Sequence, residues 1–112
     1  MKYQPKQGDI IIANLNPTKG REQQGKRPVL IVNNNDYYRL TGLLIICPIS
    51  RTDNEFPMHL SLPSSLKTEG AVLTQHIRTI DPQEREISFL EKLPINAMNQ
   101  ILNIINLIFK ES

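Results

Sequence analysis

"MHLSLPSSLKTEGAVLTQHIRTI", residues 58–80, decides the fold. Residues 58–62 alternate strictly: Met58, Leu60 and Leu62 face one way, His59 and Ser61 the other. That period of two belongs to a strand with one face in a core. "PSSLKTEG" (63–70) turns the chain, and "AVLTQHIRTI" (71–80) reads as the longest strand. The turn is too short for a helical crossover, so the two strands run antiparallel.

The same logic extends in both directions. "LLIICPIS" (43–50) is almost wholly apolar, which predicts a strand covered on both faces. Pro48 cannot donate to a ladder, so the end of that strand must be an edge or a bulge. "DIIIANL" (9–15) and "RPVLIV" (27–32) are further strands. The loop between them, 16–26, holds Pro17, Gly20 and Gly25 and is long for a hairpin; long loops in small domains often carry function. Residues 33–42 form a polar connection with a short helical turn around Asp36 to Leu40. After a turn at 81–86 comes a last short strand, 87–93. From Pro94 onward Ile95, Met98, Ile101, Leu102, Ile105, Ile108 and Phe109 recur at steps of three and four, one face of a helix. Pro94 fits its first helical position. Short antiparallel strands followed by a C-terminal helix predict a mostly β fold, a small, partly closed barrel.

The chain has 112 residues, and we read 1–112 as a single domain. No stretch approaches the length of a membrane span, and the N-terminus lacks the apolar core of a signal peptide. The single cysteine, Cys47, excludes an internal disulfide and a cysteine-rich zinc site. It lies in the most apolar strand and reads as a small hydrophobe. A soluble, cytoplasmic protein is expected. Net charge is only +2, yet Lys19, Arg21, Lys26 and Arg27 crowd one loop, and a locally basic groove is compatible with that total.

Candidate site residues follow from this layout. Arg27 precedes Pro28, and the residue before a proline is restricted to extended backbone. A guanidinium on a stiff mount suits phosphate, which it grips with two parallel hydrogen bonds. The plainer alternative is a surface arginine paired with Glu22 or Asp9. On a regular strand 71–80, His76 and Arg78 share a face about 7 Å apart, an imidazole beside a cation, fit for proton transfer and anion binding. The alternative there is exposed polar positions on a half-solvated strand. Ser50, Arg51 and Thr52 end the apolar strand; their hydroxyls either satisfy frayed backbone groups or bond a phosphate.

Three blocks, "GDIIIANLNPTKGREQQGKRPVLIV", "ICPIS" and "GAVLTQHIRTID", resemble in order and spacing the MazF/PemK toxins of bacterial toxin–antitoxin modules. The resemblance covers about Gly8 to Asp81, with a terminal helix of the expected kind behind it. It implies an SH3-like small barrel, the MazF/PemK/CcdB-like toxin fold, and a homodimer. It implies a sequence-specific endoribonuclease that cuts single-stranded mRNA without metal or other cofactor, leaving 2′,3′-cyclic phosphate and 5′-hydroxyl ends. It implies a cognate antitoxin protein that occupies the RNA groove. Arg27 matches the arginine of the R-P-V block, the main catalytic residue. Ser50 stands where relatives have threonine, and Glu22 matches an acidic residue important in some members. Many relatives have glutamine directly before the I-R-T-I block; here that place is His76, with Gln75 one earlier. Arg21 stands where others have serine or histidine. His76 is therefore our candidate base, beside Arg27, Ser50 and Glu22 in catalysis. Arg21, Lys26, Thr52, Gln75 and Arg78 are candidate RNA contacts, and loops 51–57 and 63–70 are expected to shape the pocket that sets the recognised motif. Two rivals share the fold: a toxin that poisons DNA gyrase through its C-terminal helix, and an RNA-binding barrel that cuts nothing.

Overall fold

The computed structural model describes residues 2–16, 25–52 and 56–112. In chain order it contains β1 (Asp9–Asn14), β2 (Lys26–Ile31), α1 (Asn35–Thr41), β3 (Leu44–Ser50), β4 (His59–Ser61), β5 (Ala71–Leu73), β6 (Arg78–Ile80), β7 (Ser88–Lys92) and α2 (Ile95–Ile108). The strand pairs described are all antiparallel. They run in the order β4-β5-β3-β2-β1-β7, with β6 also paired to β3. A mostly β fold with a C-terminal helix is therefore present.

The hydrogen-bonded sheet does not close, so the barrel expectation holds only approximately. Its edges are β4 and β7. Among the described residues no ladder forms between them; a side chain bridges instead. Glu91 of β7 accepts hydrogen bonds from the backbone of Lys67 and Thr68, in the connection between β4 and β5.

β3 is the hub. Its first half pairs with β6 (Leu44 opposite Ile80, Ile46 opposite Arg78), and its end pairs with β5 (Ile49 opposite Val72, Ser50 opposite Ala71). Pro48 falls where the partner changes, which is how a residue without an N–H sits inside a sheet. Both faces of β3 are covered, as its apolar run predicts. Leu44 and Ile46 join Ile11, Ala13, Val29, Ile31 and Ile80 in one cluster. Cys47 and Ile49 join Ile10, Leu30, Val72, Met98 and Ile101 in the other, beneath α2. Burial alone pushes the Cys47 thiol up to about 12, so it stays protonated and inert at neutral pH.

Three expectations need correction. Residues 71–80 are not one strand: a 3-10 turn, Thr74–His76, separates β5 from β6. Thr74 is fully buried and its hydroxyl donates to the carbonyl of Met58, drawing the backbone out of the ladder. The strict alternation that put His76 and Arg78 on one face is therefore broken. In α2, Met98 and Ile101 are buried and Leu102 and Ile105 pack beside them, but Ile95 and Phe109 are each 72% exposed. The helix outruns the core cluster at both ends. Pro94 is its N-cap, with φ −58° and ψ 147°, one place before the position expected.

Candidate active site

Because β2 and β3 are antiparallel, the start of one lies beside the end of the other. Val29 opposes Pro48, which brings Lys26, Arg27 and Pro28 next to Ile49 and Ser50. A cleft of about 700 Å³ opens there. Its floor and walls come from three segments: Lys26 to Pro28, Ile49 to Thr52, and Lys67 to Glu69. Arg27, Ser50, Lys26 and Thr52, singled out from sequence, thus meet in one place. Arg27 is half-buried, as a rigid mount at a strand start requires.

Ser50 is 8% exposed. Its hydroxyl accepts from the Thr52 backbone N–H and donates to the Thr52 carbonyl, both at 3.2 Å. It closes the turn that leaves β3, and Thr52 itself is exposed. Cations border the cleft on both sides. Lys26 sits 3.4 Å from Glu86 and Arg51 3.2 Å from Glu69, all well exposed, so neither pair neutralises much field in water. Asp9, by contrast, is buried and spent on structure: Tyr3 Oη donates to it, as do the Lys6 backbone N–H at 3.0 Å and Lys92 Nζ at 2.9 Å. Burial first, then that bond to Asp9, raises the Tyr3 hydroxyl beyond its ordinary pKa.

Other candidates lie elsewhere. His76 ends the 3-10 turn and is half-buried, outside the lining of the cleft. Gln75, exposed, places its amide nitrogen 2.8 Å from His59 Nε2. Phe56 lies against the same imidazole, ring centroids 5.3 Å apart. Arg78 donates to the Leu15 carbonyl at 3.0 Å and so anchors the end of β1. Arg21 and Glu22 fall outside the described residues.

The third wall, Lys67 to Glu69, belongs to the connection 63–70, expected from sequence to shape the pocket, although none of its residues was singled out. Its anchors act through contacts distant in sequence and leave no local pattern. One is Glu91. The other is Gly70, whose φ of +125° lets it lie on the Ser50 backbone: a Cβ there would stand 2.3 Å from the Ser50 carbonyl oxygen.

Comparison with known proteins places this architecture. The endoribonuclease PemK of Escherichia coli is 37% identical over 106 residues, covering 90% of this chain and 79% of that protein. The endoribonuclease EndoA of Bacillus subtilis is 29% identical, covering 88% of this chain and 91% of its own. The crystal structure of MazF from Deinococcus radiodurans superposes with a TM-score of 0.91 at 28% identity, covering 98% of this chain and all of that one. A MazE–MazF complex of the same organism gives 0.85 at 29% identity, over 99% of this chain. The model of the PemK-like, MazF-like toxins matches residues 6–109. On that match the chain belongs to the PemK-like, MazF-like toxin family of type II toxin–antitoxin systems.

Proposed function

We propose that the protein is an endoribonuclease toxin that cuts single-stranded mRNA at short sequence motifs by attack of the RNA's own 2′-hydroxyl. The products are a 2′,3′-cyclic phosphate and a 5′-hydroxyl. The observation that carries this reading is the cleft in which Arg27 and Lys26 face the turn of Ser50 and Thr52, in a chain of this family. Relatives bearing the name endoribonuclease support it.

The chemistry divides among these groups. The reaction needs the 2′-oxygen in line with the leaving 5′-oxygen, a proton removed and a proton returned, and a place for charge on the phosphate. Arg27 supplies the charge, with a planar fork that fits phosphate oxygens. The Thr52 hydroxyl, exposed at the rim, donates to a non-bridging oxygen, while the Ser50 hydroxyl holds the turn that presents it. A base must reach the 2′-hydroxyl within hydrogen-bond distance. His76 stands outside the cleft lining, so we assign it, with Gln75, to the edge of an unstacked base. The base role then goes to Glu22, the acidic candidate that the family resemblance implies.

The MazE–MazF structures among its neighbours support an antitoxin partner, which would fill this groove and silence the enzyme. A homodimer accounts for the apolar surface α2 leaves in water, where Leu107 is 63% and Phe109 72% exposed. Incubation of the purified protein with a long RNA in EDTA tests the activity. Discrete fragments with 5′-hydroxyl ends support it; intact RNA together with gyrase-dependent DNA damage supports the gyrase-poisoning rival.

A further inference from the structure

The wall formed by Lys67, Thr68 and Glu69 hangs from the opposite edge of the sheet. Between Leu66, whose N–H bonds the Pro63 carbonyl at 3.1 Å, and Gly70, whose carbonyl accepts from Leu62 at 2.9 Å, the loop turns two successive N–H groups outward. Both end on one carboxylate. Glu91 Oε1 accepts from Lys67 N at 3.1 Å; Oε2 accepts from Thr68 N and from Thr68 Oγ1, each at 2.6 Å. Glu91 itself is not among the residues lining the cleft. It belongs to β7, which reaches the site only through β1 and β2 in the sheet order. Glu69, the acidic member of the wall, is engaged with Arg51. The exposed ammonium of Lys67 is the wall's cation, beside the carboxylates of Glu69 and Glu91.

We propose that Glu91 is a positioning residue for RNA binding: by gripping the Lys67 and Thr68 backbone it holds the Lys67 ammonium where a phosphate flanking the scissile one passes. The inference rests on the endoribonuclease reading and names the device that builds the groove's far wall. The clamp fixes the backbone that carries the Lys67 side chain, because two of its three bonds go to main chain.

Glu91→Ala, Glu91→Gln, Lys67→Ala and the Glu91→Ala/Lys67→Ala double variant test it. Hydrogen exchange reads the clamp without RNA: the Thr68 amide exchanges faster in Glu91→Ala and at an intermediate rate in Glu91→Gln, whose amide oxygen keeps part of the bonding. Fluorescence anisotropy with a 2′-O-methyl copy of a cleaved RNA reads the contact. Loss of one phosphate contact on a single strand flattens the slope of log affinity against log salt by about 0.7. Lys67→Ala and Glu91→Ala should each show that loss, and the double variant no more than either. The KM of Glu91→Ala should rise about fivefold, with a smaller change in kcat. Unchanged Thr68 exchange, an unchanged salt slope, or additive losses in the double variant would overturn the inference. A wild-type protein that leaves RNA uncut sinks the functional reading instead, and the exchange measurement still decides the clamp.

Discussion

Gly70 shows how a single residue far from any reacting atom shapes the site. At φ +125° an L side chain is strained, and here it would also strike the Ser50 carbonyl at 2.3 Å. Gly70→Ala should cost about 2–4 kcal/mol and lower the thermal midpoint by about 10 °C or more. It should also reduce cleavage, because the Ser50 turn moves; a midpoint like wild type would contradict the geometry. His76 gives a contrasting case. Standing outside the cleft, it should govern which bases are accepted rather than when the enzyme is deprotonated. His76→Gln should leave the pH profile of kcat unchanged and alter the pattern of fragments. A shifted acid limb would return the base role to the imidazole. Arg27 was legible in sequence because the Arg-Pro step announces its own backbone. The connection 63–70 was legible as a shaper of the pocket, but the parts of Glu91, Gly70 and Lys67 were not, since what they touch is distant in sequence and no periodicity encodes it.

Among elements, β3 and the connection 63–70 set the site. β3 was readable: its apolar run demanded cover on both faces, and two core clusters supply it. The stretch 71–80 misled because β propensity is strong at both ends, while the break depends on a tertiary bond from Thr74 to Met58. The connection 63–70 is tied to β7 by an acid, which makes it pH-sensitive. The Thr68 hydroxyl first, then the backbone bonds, holds the Glu91 carboxyl below its ordinary range, against the opposing effect of desolvation. A lowered carboxylate pKa means that its grip is complete above the unfolded-state pKa and is lost as the pH falls through the lowered value. Amide exchange at Lys67 and Thr68, corrected for the intrinsic pH dependence, should therefore accelerate only below the ordinary carboxylate range. Glu91→Gln should remove that pH dependence. Acceleration beginning near neutrality would assign the loosening to another group.

At the scale of the molecule, an open sheet is stitched at its gap by Glu91 and leaves apolar residues of α2 in water. Among the described residues no helix is long and apolar enough to cross a membrane. The periodicity of α2 foretold a buried stripe; it could not foretell that Ile95, Leu107 and Phe109 lack cover among the described residues, because a sequence pattern does not distinguish a core from a partner. If a second copy covers that surface, Leu107→Ser/Phe109→Ser should convert the dimer to monomer in sedimentation, with the α2 helix retained by circular dichroism. A sedimentation coefficient unchanged from wild type would place the subunit contact elsewhere.

The central claim is that the guanidinium mounted on the Arg-Pro step meets the phosphodiester that breaks. The most direct measurement is cleavage of one long transcript by wild type and by Arg27→Ala, in EDTA, with 5′ ends sequenced and thermal midpoints recorded for both. Wild type should give discrete 5′-hydroxyl ends, and Arg27→Ala should slow their formation by about 100-fold or more while unfolding within a few degrees of wild type. Undiminished cutting by the folded Arg27→Ala protein would contradict the claim.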